Sequence, residues 1–119
     1  MAAETDVLRQ KQCVPCEGGI AALPPAEASH LLRALPEWKL TSDGKGIRRE
    51  WMMKDFSSGL EFFRDVGELA ENEGHHPDLH LTGYRKLAIE LSTHAVDGLT
   101  ENDFILAAKI DELPAKVKK

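Results

Sequence analysis

Histidine is the side chain whose ordinary pKa lies closest to neutrality, so it can both give and take a proton at working pH. The chain has five histidines, and four of them, His75, His76, His80 and His94, fall between positions 75 and 94. Any one of them has a structural explanation. His75 and His76 follow Gly74, and an imidazole just past a helix end is favoured by the helix dipole. The clustering is what points to a site. His75-His76-Pro77 stands between a long helical segment and a strand, a loop position whose side chains can face a cleft. His94 closes the next strand. If those two strands form a hairpin, the start of one lies beside the end of the other, and the histidines meet at one end of the sheet. Asp103 opens the last helix and comes within reach because the link 95–99 is short. It also has a purely local role, as the acid three residues after a Thr100 cap.

A second group is Cys13-Val14-Pro15-Cys16. The spacing suits a redox pair or half of a zinc site. A redox pair normally caps a helix after a strand, and no strand precedes this one. A zinc site needs two more ligands, for which His30 or His80 are candidates, and a bridge between subunits or a plain solvated arm are the other readings.

These residues must be positioned by regular elements. Residues 1–24 show little periodicity and read as an irregular N-terminal arm, whose removal (residues 1–22) should leave fold and activity largely intact. From Pro25, a proline suited to a first helical turn precedes Ala28, Leu31, Leu32 and Leu35 at helical spacing, and Pro36 ends the helix. Strands are expected over 38–41 and 47–53 around the loop 42–46; in the second, Ile47, Arg49, Trp51 and Met53 alternate with Arg48, Glu50 and Met52. Asp55 opens a long helix with a stripe of Phe56, Leu60, Phe63, Val66, Gly67 and Ala70, widened by Gly59, Phe62 and Leu69 and stopped by Gly74. Two strands follow, 79–84 and 86–94, the latter with Leu87, Ile89, Leu91 and Thr93 on one face. A capped helix over 104–110 and a C-terminal tail, 114–119, complete the chain.

The order α-β-β-α-β-β-α predicts an α+β domain over 25–113, with a four-stranded antiparallel sheet and three helices on one face. Trp38, Trp51, Phe62 and Phe63 read as core or interface aromatics. An unprotected sheet edge, with Trp51, Met52 and Met53 near it, predicts self-association. The 119 residues suffice for one domain, and 42% apolar with 29% charged residues is a globular balance. A net charge of −5 excludes phosphate-backbone binding as the main activity. No apolar run reaches the roughly 20 residues of a membrane helix, and Met1 to Gln12 lacks a secretory apolar stretch. An intracellular protein with neither nucleic acid nor membrane as partner is expected.

Glu71-Asn72-Glu73-Gly74-His75-His76-Pro77, then Tyr84, then Ser92-Thr93-His94, then Gly98-Leu99-Thr100-Glu101-Asn102-Asp103 resembles the signature of the pterin-4a-carbinolamine dehydratases. The resemblance covers about three-quarters of the chain and leaves out the arm. It implies dehydration of a 4a-hydroxytetrahydropterin to the quinonoid dihydropterin, with a pterin as substrate and no metal or redox cofactor. It further implies His75, His76 and His94 as catalytic histidines, with Glu71 and Asp103 as supporting acids that orient imidazoles or favour their protonated forms. The pterin would be contacted by Gly74, His75, His76, Pro77, Ser92, Thr93 and His94. Two positions depart from the animal pattern: Gly74 replaces an acid, and Val96 replaces a cysteine. The run 74–85 is similar to the plant or algal branch, which places the chain in the cytoplasm or, as a processed form, in a mitochondrion or plastid. A homodimer or homotetramer is implied. Two other classes stay open: a metal-binding protein built on Cys13, Cys16 and the histidines, and a dimerisation or coactivator module.

Overall fold

The structure is a computed structural model, which describes residues 4–14 and 21–118. Its elements are α1 (Glu4–Gln10), α2 (Pro25–Leu32), β1 (Lys39–Leu40), β2 (Ile47–Met52), α3 (Phe56–Glu73), β3 (Asp78–Thr82), β4 (Lys86–Leu91), a short 3₁₀ turn (His94–Val96) and α4 (Glu101–Asp111). From Pro25 onward this is the expected α+β order. The four strands form one antiparallel sheet in the order β1-β2-β4-β3, so β4 is central and β1 and β3 are edges. In the β3–β4 hairpin Asp78 lies opposite Glu90, which brings the entry of β3 beside the exit of β4.

Alternation decides which sheet face is buried. Ile47 and Trp51 on β2 and Leu87, Ile89 and Leu91 on β4 are buried against Phe62 and Val66 of α3 and Phe104, Ile105 and Leu106 of α4. Burying side chains such as Phe62, Ile89 and Leu106 stabilises the fold by about 1.5–3 kcal/mol each. Trp51 stands edge-on to Trp38, with ring centroids 6.0 Å apart, and tilts against Phe62 at 5.2 Å. The expectation of core aromatics holds for Trp38, Trp51 and Phe62, while Phe63 is only partly buried.

Helix α3 is closed at both ends by its own sequence. Asp55 accepts a hydrogen bond from the Ser58 N–H at 2.8 Å, and the Ser58 hydroxyl first and this N–H second hold its carboxyl below the ordinary value. At the other end Gly74 adopts a left-handed φ of 67° and returns its N–H to Ala70 and Glu71. Its buried line is not the expected stripe. Ser58, Gly59, Phe62, Val66 and Ala70 face the core, whereas Phe56 and Leu60 stay about half exposed. Gly59 sets this rotation: a Cβ there would lie 3.2 Å from Leu81 of β3, so the bare glycine edge is where helix and sheet approach.

The arm departs from the expectation. Residues 4–10 form α1, whose Leu8 is buried in the core, and Lys11 pairs with Glu101 at 3.0 Å. A short helix with few apolar residues gives no readable period, yet one leucine suffices to dock it. Removing residues 1–22 would take the buried Leu8 with them. Cys16 lies outside the described residues. Trp51 and Met53 are buried, so of the three residues expected near an association surface only Met52 is exposed.

Candidate active site

The site forms where the end of α3, the exit of β4 and the start of α4 meet. Because Gly74 stops α3 in a left-handed turn, His75 emerges toward α4 and its Nε2 lies 2.6 Å from Asp103 Oδ1. Asp103 is completely buried, and its other oxygen accepts hydrogen bonds from Thr93 Oγ1 at 2.8 Å and the Thr100 N–H at 3.0 Å. Thr93 Oγ1 also lies 2.9 Å from Thr100 Oγ1. Capping α4 and holding His75 are therefore two acts of one carboxylate. A carboxylate only accepts, so this bond puts a hydrogen on Nε2 and fixes the tautomer of the neutral ring.

His76 is placed differently. Its Nε2 lies 3.2 Å from Glu71 Oε1, with the two side chains 63% and 78% exposed. His94 begins the 3₁₀ turn after β4 and is exposed, rather than completing the strand as expected. The extended ladder stops at Leu91 because Thr93 pairs with Gly98 across a tight turn instead of with a neighbouring strand. The last turn of α3 holds two acids and no base, against the helix dipole. Each acid has a partner: Glu71 meets His76, and Glu73 meets Lys109 Nζ at 2.7 Å and the Cys13 N–H at 2.9 Å. Burial by itself would raise the Glu73 carboxyl, but the bonds from Lys109 and Cys13 outweigh it and hold it below its ordinary value.

A cavity of about 210 Å³ opens here, lined by Val14, Gly74, His75, His76, Ser92, Thr93, His94, Ala95 and Asn102. Three histidines from two loops thus face one space. Of the residues expected at the site, Pro77 is not part of the lining, Glu71 stands behind His76, and Asp103 lies beneath the floor. Val14, Ala95 and Asn102 line the cavity without having been expected there, although Asn102 stands in the family-like run 98–103. A larger hollow of about 610 Å³ lies beyond His94 and shares Ser92, Thr93 and His94 with the first. Its cations are committed to carboxylates, Lys45 to Asp97 at 2.8 Å and Arg48 to Glu90, and one histidine reaches it. The smaller cavity is the one that gathers three histidines.

His80 leaves the cluster: on β3 it faces Glu90 at 3.7 Å. Tyr84 is exposed in the β3–β4 turn, with the Arg85 guanidinium over its ring. Among the described residues, no three His, Cys, Asp or Glu side chains converge as a metal site would require. No described helix is long and apolar enough to cross a membrane.

Comparison with known proteins bears on this geometry. The family model for pterin 4 alpha carbinolamine dehydratase matches residues 21–113. A mitochondrial pterin-4-alpha-carbinolamine dehydratase 2 of Arabidopsis thaliana is 50% identical over 89% of this chain, which spans 58% of the plant protein's length. A putative enzyme of the same name from Methylococcus capsulatus is 47% identical over 92% of this chain and 95% of its own. The crystal structure of a transcriptional coactivator/pterin dehydratase from Brucella melitensis superposes with a TM-score of 0.70 at 32% identity, covering 76% of this chain and 95% of that one. The fold, the histidine cavity and these likenesses agree: the chain belongs to the pterin-4a-carbinolamine dehydratase family, whose members are hydro-lyases.

Proposed function

We propose that this dehydratase eliminates water from a 4a-hydroxytetrahydropterin by histidine acid–base catalysis in the cavity of His75, His76 and His94. The observation that carries the proposal is the convergence of these imidazoles on one space, one of them fixed from beneath by Asp103. In the reaction a proton goes to the hydroxyl on carbon 4a, the carbon–oxygen bond breaks and water leaves. The nitrogen 5 proton goes to a base as the carbon–nitrogen double bond of the quinonoid dihydropterin forms. No net electron transfer occurs. His75, held in one orientation, suits the transfer that demands fixed geometry, and the exposed His76 and His94 can return protons to solvent. Gly74, Ser92 and Thr93 supply the rest of the lining. The edge strand β3 with its half-exposed Leu79, together with Phe56 and Leu60 on α3, supports a homodimer or homotetramer.

The test is a spectroscopic assay of 4a-hydroxytetrahydropterin dehydration with purified protein, with and without EDTA. Equal turnover in both is expected. Activity that vanishes in EDTA and returns with added metal would overturn histidine-only catalysis.

A further inference from the structure

Just past α1, at Cys13 and Val14, the chain reaches the histidine cavity, where it is tied down by side chains instead of a strand ladder. The Asn102 carboxamide faces Val14 with both ends: Nδ2 donates to the Val14 carbonyl at 2.6 Å, and Oδ1 accepts the Val14 N–H at 3.0 Å. One residue earlier, the Cys13 N–H donates to Glu73 Oε1 at 2.9 Å and the Cys13 thiol donates to the Asn102 carbonyl at 3.5 Å. Asn102 is 3% exposed. A buried carboxamide is fixed by what it bonds, and here its bonds run to the arm.

The anchors have a specific location. Glu73 is two residues before His75, and Asn102 is next to Asp103. The arm is therefore fastened to the same two helix ends that bear the His75–Asp103 pair. Val14 and Asn102 both line the histidine cavity. Val14 is 60% exposed at that opening, and its side chain is an apolar group with nothing to compete for the polar edge of a flat heterocycle. The Cys13 thiol is pushed up to about 12, by burial first and by the nearby Glu73 charge second, so it stays a protonated donor.

We propose that Cys13-Val14 forms a wall of the substrate pocket, and that Asn102 is the positioning residue that seats it. This rests on the dehydratase reading above. The N-terminal arm thereby sets how tightly the pterin is held and leaves the chemical step to the histidines. A pocket whose wall is seated only part of the time binds in proportion to that fraction.

Two variants of the full chain test this. Asn102→Ala removes both bonds to Val14, and Val14→Ala trims the wall while leaving its backbone bonds in place. Each net hydrogen bond is worth a few-fold in the seating equilibrium, so KM should rise about three- to tenfold in Asn102→Ala with kcat within about twofold. Val14→Ala should shift KM in the same direction. Hydrogen exchange at the Val14 amide gives an independent readout: protection should be lost in Asn102→Ala and kept in Val14→Ala. A folded Asn102→Ala protein with an unprotected amide and unchanged KM would overturn the wall, as would retained protection or a fall confined to kcat. If Asn102→Ala fails to fold, an unchanged KM in Val14→Ala overturns it alone. Wild-type protein with a protected Val14 amide and no turnover would instead overturn the dehydratase reading.

Discussion

His75 and His76 are neighbours in the chain and sit in opposite surroundings. His75 is 11% exposed and bonded to a fully buried carboxylate that is itself held by Thr93 Oγ1 and the Thr100 N–H. His76 stands in solvent beside a still more exposed Glu71. The inner pair is preorganised, because every atom that could move it is itself held. The outer pair can swing and exchange protons with water, and bulk ions screen it. One residue's difference in chain position thus separates a fixed group from a free one. The left-handed turn at Gly74 makes that separation, since it points consecutive side chains in different directions.

The strongest way to break this contrast is Asp103→Ala. It removes one half of the capping box, frees His75 and takes one acceptor away from both Thr93 Oγ1 and the Thr100 N–H. Stability should fall by about 3 kcal/mol, measured by urea unfolding. Turnover of the folded fraction should fall at least about 10²-fold, as for loss of a positioned acid–base group. An intact rate in the folded fraction would make Asp103 a cap and nothing more.

His94→Ala tests the outer half. His94 is exposed and outside the core, so its removal should cost under about 1 kcal/mol. Turnover should drop by about 10²–10⁴, equivalent to roughly 3–5 kcal/mol in the barrier. His30→Ala, on α2 and outside the cavity, is the control and should change neither. A His94→Ala protein that unfolds while its folded fraction turns over normally would remove the third histidine from the site.

Glu71→Gln should give the smallest effect. An exposed ion pair contributes little and is screened, so kcat/KM should change by less than about threefold, and the difference should shrink further at high salt. A larger, salt-resistant loss would mean that His76 is held as firmly as His75.

Much of the fold was legible because its signals are local. Asp55 and Gly74 bound α3, Thr100 and Asp103 cap α4, and the alternation in β2 and β4 names the buried sheet face. The convergence of His75, His76 and His94 also followed from hairpin logic, although His94 lies in a 3₁₀ turn past the strand. The rotation of α3 was not legible. Its apolar residues spread over more of the helix than one stripe, and the choice among faces depends on Leu81 meeting Gly59 across the sheet. The docking of α1 was hidden for the same kind of reason, since a single Leu8 carries no period.

By itself the sequence determined which residue types gather near one sheet end and where the two helices flanking them stop and start. Those are matters of caps, turns and alternation, set within a few residues of chain. Only the tertiary structure decided that Asp103 faces inward to His75 while Glu71 stays in water with His76. It alone placed Val14, 88 positions away from Asn102, at the opening of the cavity. Burial and long-range hydrogen bonds arise from the packing of distant segments, and no local pattern in the chain encodes them.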